Sequence, residues 1–163
     1  MKKLLFILTF IVGLNFASKA QYYDHALGIR GGTSLEVSYK RFIFYTPSIQ
    51  QAIEGLIGFQ IDELKRTQNG WVFEALYHFH LDLGFDTGFS GFAGIGGYIG
   101  VFTEHGKKPY LGGGATMAIG ASYTFTHAPV NIAIDWKPIL GFPRMSLTRG
   151  AVTLRYVFPT TWQ

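Results

Sequence analysis

Trp71-Val72-Phe73-Glu74-Ala75-Leu76-Tyr77-His78-Phe79-His80-Leu81-Asp82 is the stretch on which the fold turns. Its period is two. Trp71, Phe73, Ala75, Tyr77, Phe79 and Leu81 fall on one face, and Val72, Glu74, Leu76, His78, His80 and Asp82 on the other. This alternation belongs to a β-strand, whose successive side chains point to opposite faces. Every charged or imidazole group lies on one face, and the opposite face carries none.

The same pattern recurs along the chain. Val130, Ile132, Ile134 and Trp136 alternate with Asn131, Ala133, Asp135 and Lys137. Val152, Leu154, Tyr156 and Phe158 alternate with Thr153, Arg155 and Val157, and Leu35, Val37 and Tyr39 with Glu36, Ser38 and Lys40. Segments around Ile53–Ile61, Gly91–Val101 and Gly113–Phe125 fit less cleanly, and His25–Arg30 brings the count to eight. Turn residues separate them at Gly31-Gly32, Thr46-Pro47-Ser48, Asn69-Gly70, Asp86-Thr87-Gly88, Gly106 and Ala128-Pro129. Eight membrane-spanning strands of roughly ten residues each fit this length. No amphipathic helix and no second domain is visible.

Composition fixes which face meets what. The 163 residues are 48% hydrophobic and 17% aromatic but only 15% charged, against roughly 25% for an ordinary soluble domain. Disorder is excluded by this apolar content, and disulfides and thiolate chemistry by the absence of cysteine. Residues 1–20 read as a cleaved signal peptide: Lys2 and Lys3, an apolar core from Leu4 to Val12, then Ser18-Lys19-Ala20. The barrel domain is then residues 21–163. Without Lys2, Lys3 and Lys19, 11 of the 14 cations face 10 anions, so the net charge falls from +4 to about +1. Nucleic-acid binding, which needs a basic patch, loses its support.

A soluble barrel puts its charges outside; a membrane barrel keeps them in the lumen. Here the strand charges oppose the aromatic and β-branched series, with Arg41 as the exception. The expected fold is therefore all-β: a single eight-stranded antiparallel up-and-down transmembrane β-barrel, apolar outside and polar inside. Closure is demanded because lipid offers no partner to an open sheet edge. Phe44, Tyr45, Trp71, Phe89, Phe102, Tyr110, Phe125 and Trp136, near strand ends, suit aromatic girdles.

Ala26-Leu27-Gly28-Ile29-Arg30-Gly31-Gly32, Ala52-Ile53-Glu54-Gly55, Leu76-Tyr77-His78-Phe79-His80, Pro129 to Pro138 and Leu154-Arg155-Tyr156-Val157-Phe158 together resemble the small eight-stranded outer-membrane β-barrel proteins of Gram-negative bacteria. That resemblance implies outer-membrane location, contact with outer-membrane lipid and insertion by the barrel-assembly machinery. It also implies an aromatic-ended assembly signal in the last strand, at Leu154, Tyr156 and Phe158. Pro159 to Gln163 follow that signal here, a departure from a strictly terminal aromatic.

The inward set is Arg30, Glu36, Lys40, Glu54, Glu74, His78, His80, Asp82, Asp135, Lys137 and Arg155. Its first reading is a lumen network of paired charges; a narrow polar pore is the alternative. Glu74, His78, His80 and Asp82 share a face at spacings that suit a metal or a pH-responsive histidine pair, but lumen filling is preferred, and no cofactor is expected. Small inward residues (Gly94, Gly96, Gly100, Gly114, Thr116, Ala118, Gly120, Ser122) thin one wall, to admit bulky side chains or to bend the strands, with a hydrophobic-ligand recess as the alternative. A lipid-modifying enzyme finds little support: no histidine has Ser two residues on, and His105, Ser146 and Asp86 have no evident meeting point. Pro138 to Met145 is an unusually apolar connection, a cap over the barrel mouth or an adhesive patch. The expectation is a monomeric, non-enzymatic barrel acting in envelope integrity or surface interaction through its outer loops.

Overall fold

Strand pairing closes on itself. The computed structural model describes residues 23–46, 49–61, 68–83, 88–104, 108–142 and 145–159; the signal segment 1–20 lies outside them. Its strands are β1 (Tyr23–Gly32), β2 (Ser34–Tyr45), β3 (Ile49–Ile61), β4 (Gln68–Asp82), β5 (Phe89–Glu104), β6 (Tyr110–Thr124), β7 (Val130–Trp136), β8 (Ile139–Phe142), β9 (Met145–Ser146) and β10 (Gly150–Pro159). Each pairs antiparallel with its neighbours; β10 returns to β1, and β5–β6 joins the remaining edges. The eight staves of the barrel are β1 to β6, β7 continued by β8, and β10.

Paired residues give the stagger. A path from Leu111 through Val101, Trp71, Phe59, Leu35, Gly31, Val152 and Ile134 returns to β6 at Ala121, ten residues further along. Eight strands with such a stagger tilt by about 35–45° and enclose a space that side chains can fill.

Two local features differ from the sequence expectation. The apolar connection at Pro138 to Met145 is largely wall: β6 runs for 15 residues, and β7 covers only its Ile119–Thr124 end. The other half of β6 needs a partner, and β8 supplies it, from Gly113↔Phe142 to Thr116↔Ile139. The segment is apolar because it is a strand with an outward face. Asn69-Gly70, expected as a turn, lies inside β4, where Gly70 pairs with Gln60 and Phe102.

Alternation holds on every stave. Ile29, Leu35, Ile95, Ile134 and Leu154 typify the outward face, and 33 large apolar or aromatic side chains among the described residues are exposed. A monomer in water rarely shows a contiguous apolar patch above a few hundred Å², and this one encircles the molecule. Of the girdle aromatics, Phe44, Tyr45, Trp71, Phe125 and Trp136 are outward. Phe102 is not: it is fully buried in the lumen, packed with Val72, Tyr98 and Ile139.

Candidate functional site

Inward positions on β1, β2, β3, β4, β7 and β10, with Lys137 just after β7 and Arg149 just before β10, carry the polar interior, gathered into two clusters. The first lies towards the β1–β2 turn. Glu36 is its centre: it accepts from Arg30 (3.1 Å), Lys137 (3.2 Å), Arg149 (3.0 Å) and Ser34 (2.5 Å). Arg30 also forks onto Asp135, at 2.6 and 3.3 Å. Glu74 accepts from Arg149 at 3.1 Å and from Lys137. Three cations meet three anions, all buried. Buried charges persist only when paired and hydrogen-bonded in this way.

The second cluster lies nearer the end that carries Tyr23 and Pro159. Glu54 accepts from Arg155 and Ser38, both at 2.5 Å, and pairs with Lys40 at 3.1 Å. Arg155 also donates to Ser38 (3.1 Å) and Asn131 (3.2 Å). His78 Nδ1 and His80 Nε2 each lie 3.4 Å from the Lys40 ammonium, which sits 4.8 Å from the Phe92 ring centroid. An ammonium only donates, so those ring nitrogens accept. The lone pairs a metal would need are already turned onto Lys40. Among the described residues no group of three or more potential ligands converges.

Among the described residues, large side chains occupy much of the remaining interior. On β5, Phe92, Tyr98 and Phe102 face inward, beside the small residues of β6. An added Cβ on Gly120 would lie 2.7 Å from Phe92 Cζ, and one on Gly94 2.7 Å from His78 Cδ2. Gly94 and Gly120 therefore make room for large neighbours. The void between the clusters, lined by Arg30, Glu54, His78, Asp135 and Lys137, measures about 10 Å³. That is room for one water.

Ten of the eleven inward candidates fall in the two clusters. Asp82 does not; it is exposed at the end of β4, opposite Ser90. Arg149 was missed, because Leu147-Thr148-Arg149 reads as a connection. Its parity with Ala151, Thr153 and Arg155 was the available signal, and its backbone carbonyl accepts from Lys137 N at 2.8 Å. Leu154, Tyr156 and Phe158 lie on the outward face of β10, with the last two rings in edge contact at 5.1 Å. Ser146 sits on β9 opposite Ile139; His105 and Asp86 lie outside the described residues.

No family model and no curated protein matches this sequence. Among solved structures, the crystal structure of Ail, the attachment invasion locus protein of Yersinia pestis, superposes with a TM-score of 0.53 over 82% of this chain and 93% of that one, at 10% identity. The fold is that of a small eight-stranded outer-membrane β-barrel. At that identity the likeness is one of fold, and the chemistry has to come from this chain's own residues. For an outer-membrane-type barrel, an apolar belt around a paired-charge interior is the expected polarity.

Proposed function

We propose that this chain is an integral outer-membrane protein, exported by a cleaved signal at residues 1–20 and inserted by the barrel-assembly machinery through its last strand. It works as a monomer with a sealed lumen, without catalysis or cofactor, and serves envelope integrity or surface interaction through the outer ends of its loops. One observation carries this reading: a belt of exposed apolar side chains surrounds an interior packed with ion pairs and aromatics. Such an interior opposes conduction, since a passing ion would have to displace pairs that cross the lumen from Arg149, just before β10, to Glu74 on β4 and from Arg155 on β10 to Glu54 on β3. The outer surface suits acyl chains, where each backbone group is satisfied within the closed sheet.

Planar-bilayer recording of the purified barrel tests the sealed lumen: no stepwise conductance is expected, and steady porin-like steps would overturn it. Deletion of the gene tests the role. Greater sensitivity to detergent or to large antibiotics is expected for an envelope function, and lost binding to surfaces or cells for an interaction function. Unchanged phenotypes in both, with altered lipid A acylation, would favour a lipid-modifying enzyme instead.

A further inference from the structure

Arg41 is the outward charge that the sealed lumen does not explain. Among the described strands it is the one Lys or Arg whose side chain faces away from the interior; Arg30, Lys40, Lys137 and Arg155 are all buried inside. It lies on β2, four residues from the strand end at Tyr45, and is exposed. Its charge lies close to the Tyr45 hydroxyl. Directly opposite Arg41 on β1 is His25. His25 Nδ1 lies 2.7 Å from the Tyr39 hydroxyl, and the two rings stack at 6.0 Å. With Nδ1 so engaged, Nε2 is the nitrogen left for another partner. The neighbouring acid, Asp24, takes the Tyr45 hydroxyl at 2.6 Å. Beyond this group the outward residues are apolar: Leu27, Ile29 and Val37 on the same two staves.

We infer that Arg41 and His25 form a headgroup site for an anionic glycerophospholipid. Its phosphate is held by the guanidinium and the imidazole, and its acyl chains lie along Leu27, Ile29 and Val37. The order of chemistry along the barrel wall matches that of the lipid: polar groups near the rim, apolar side chains towards the middle. A guanidinium presents paired N–H donors that suit phosphate oxygens. An outward arginine in a lipid-facing wall is tolerated near an interface and not at the midplane, so its position is where a headgroup would meet it. The Tyr39 hydroxyl fixes the imidazole plane and completes the polar rim.

This inference rests on the membrane reading, and the test separates the two. Wild type, Arg41→Gln, Arg41→Lys and His25→Gln are refolded into micelles containing equal phosphatidylglycerol and phosphatidylcholine, and retained lipid is counted by native mass spectrometry. The heat-dependent gel shift of each variant reports whether the barrel has formed. One retained phosphatidylglycerol is expected on the wild type. Arg41→Gln should lower that occupancy at least fivefold, His25→Gln about twofold, and Arg41→Lys should keep most of it. Equal retention by wild type and Arg41→Gln, with both barrels folded, overturns the site and leaves the membrane reading intact. Retention of phosphatidylcholine as strongly as phosphatidylglycerol also overturns it. Absence of any folded, lipid-bearing barrel would instead count against the membrane reading.

Discussion

Glu36→Ala removes the hub of the first cluster, and its cost follows from the contacts. Glu36 is the acceptor for Arg30, Lys137, Arg149 and Ser34. Without it, three buried cations share Glu74 and Asp135, leaving one positive charge without its counterpart. Breaking a buried ion pair by deleting one partner costs about 3–5 kcal/mol. With a urea m-value of about 2 kcal/mol/M, the unfolding midpoint should fall by about 1.5–2.5 M. The assay is urea unfolding of the barrel refolded in vesicles, followed by tryptophan fluorescence and by the boiled-versus-unboiled gel. The double variant Glu36→Ala/Arg149→Ala sharpens the test. It restores two cations against two anions, so its loss should be smaller than the sum of the two single losses by about 0.5–3 kcal/mol, the range typical of directly contacting groups. A loss under about 1 kcal/mol for Glu36→Ala at unchanged m, or strict additivity in the double variant, would refute the reasoning that the interior is a coupled charge network.

The second cluster responds differently, since it holds two cations and one anion. Lys40→Met leaves Glu54 paired with Arg155 and lays an apolar chain against Phe92, so stability should change by less than about 1 kcal/mol, whereas Glu54→Ala should cost about 3–5; comparing their urea midpoints checks both. Gly94→Ala drives a Cβ into His78 and the Tyr77 carbonyl, an overpacking cost of about 1–3 kcal/mol. Gly55→Ala, outward with nothing within 4 Å, should be neutral or stabilising by up to about 1 kcal/mol. Ile95→Arg, on an exposed outward site in the middle of β5, should cost about 2–4 kcal/mol in a bilayer, read as a lower yield of the folded gel band.

The strand pattern was legible because one face of each segment had to be apolar: Trp71 to Asp82 displays that division without reference to any other segment. Inward charges followed from the same parity, which is why Arg30, Glu36, Lys40, Glu54, Asp135 and Arg155 stand out in the chain. Parity says nothing about where a strand stops. Asp82 shares the inward phase of β4, yet lies at its end, where the wall no longer encloses it. Arg149 shares the phase of β10 but precedes its first ladder pair. Phe102 resembled a girdle aromatic because it sits near the end of β5, although its phase with Phe92 and Tyr98 turns it into the lumen. Residues 139–142 resembled a loop because Pro138 interrupts the stave, and only the length of β6 shows that a partner strand is required there. The pairing of each acid with its base depends on the stagger between strands, which a single strand does not contain.

The closed barrel, apolar outside and lined with paired charges inside, is proposed to reside in the outer membrane. Gel mobility of the protein in isolated outer-membrane fractions tests it most directly, comparing samples kept cold in SDS with samples boiled. Recovery in that fraction and a faster band when unboiled are expected, as a hydrogen-bonded closed sheet resists the detergent until heated. Recovery in the soluble fraction with one mobility before and after boiling would contradict it.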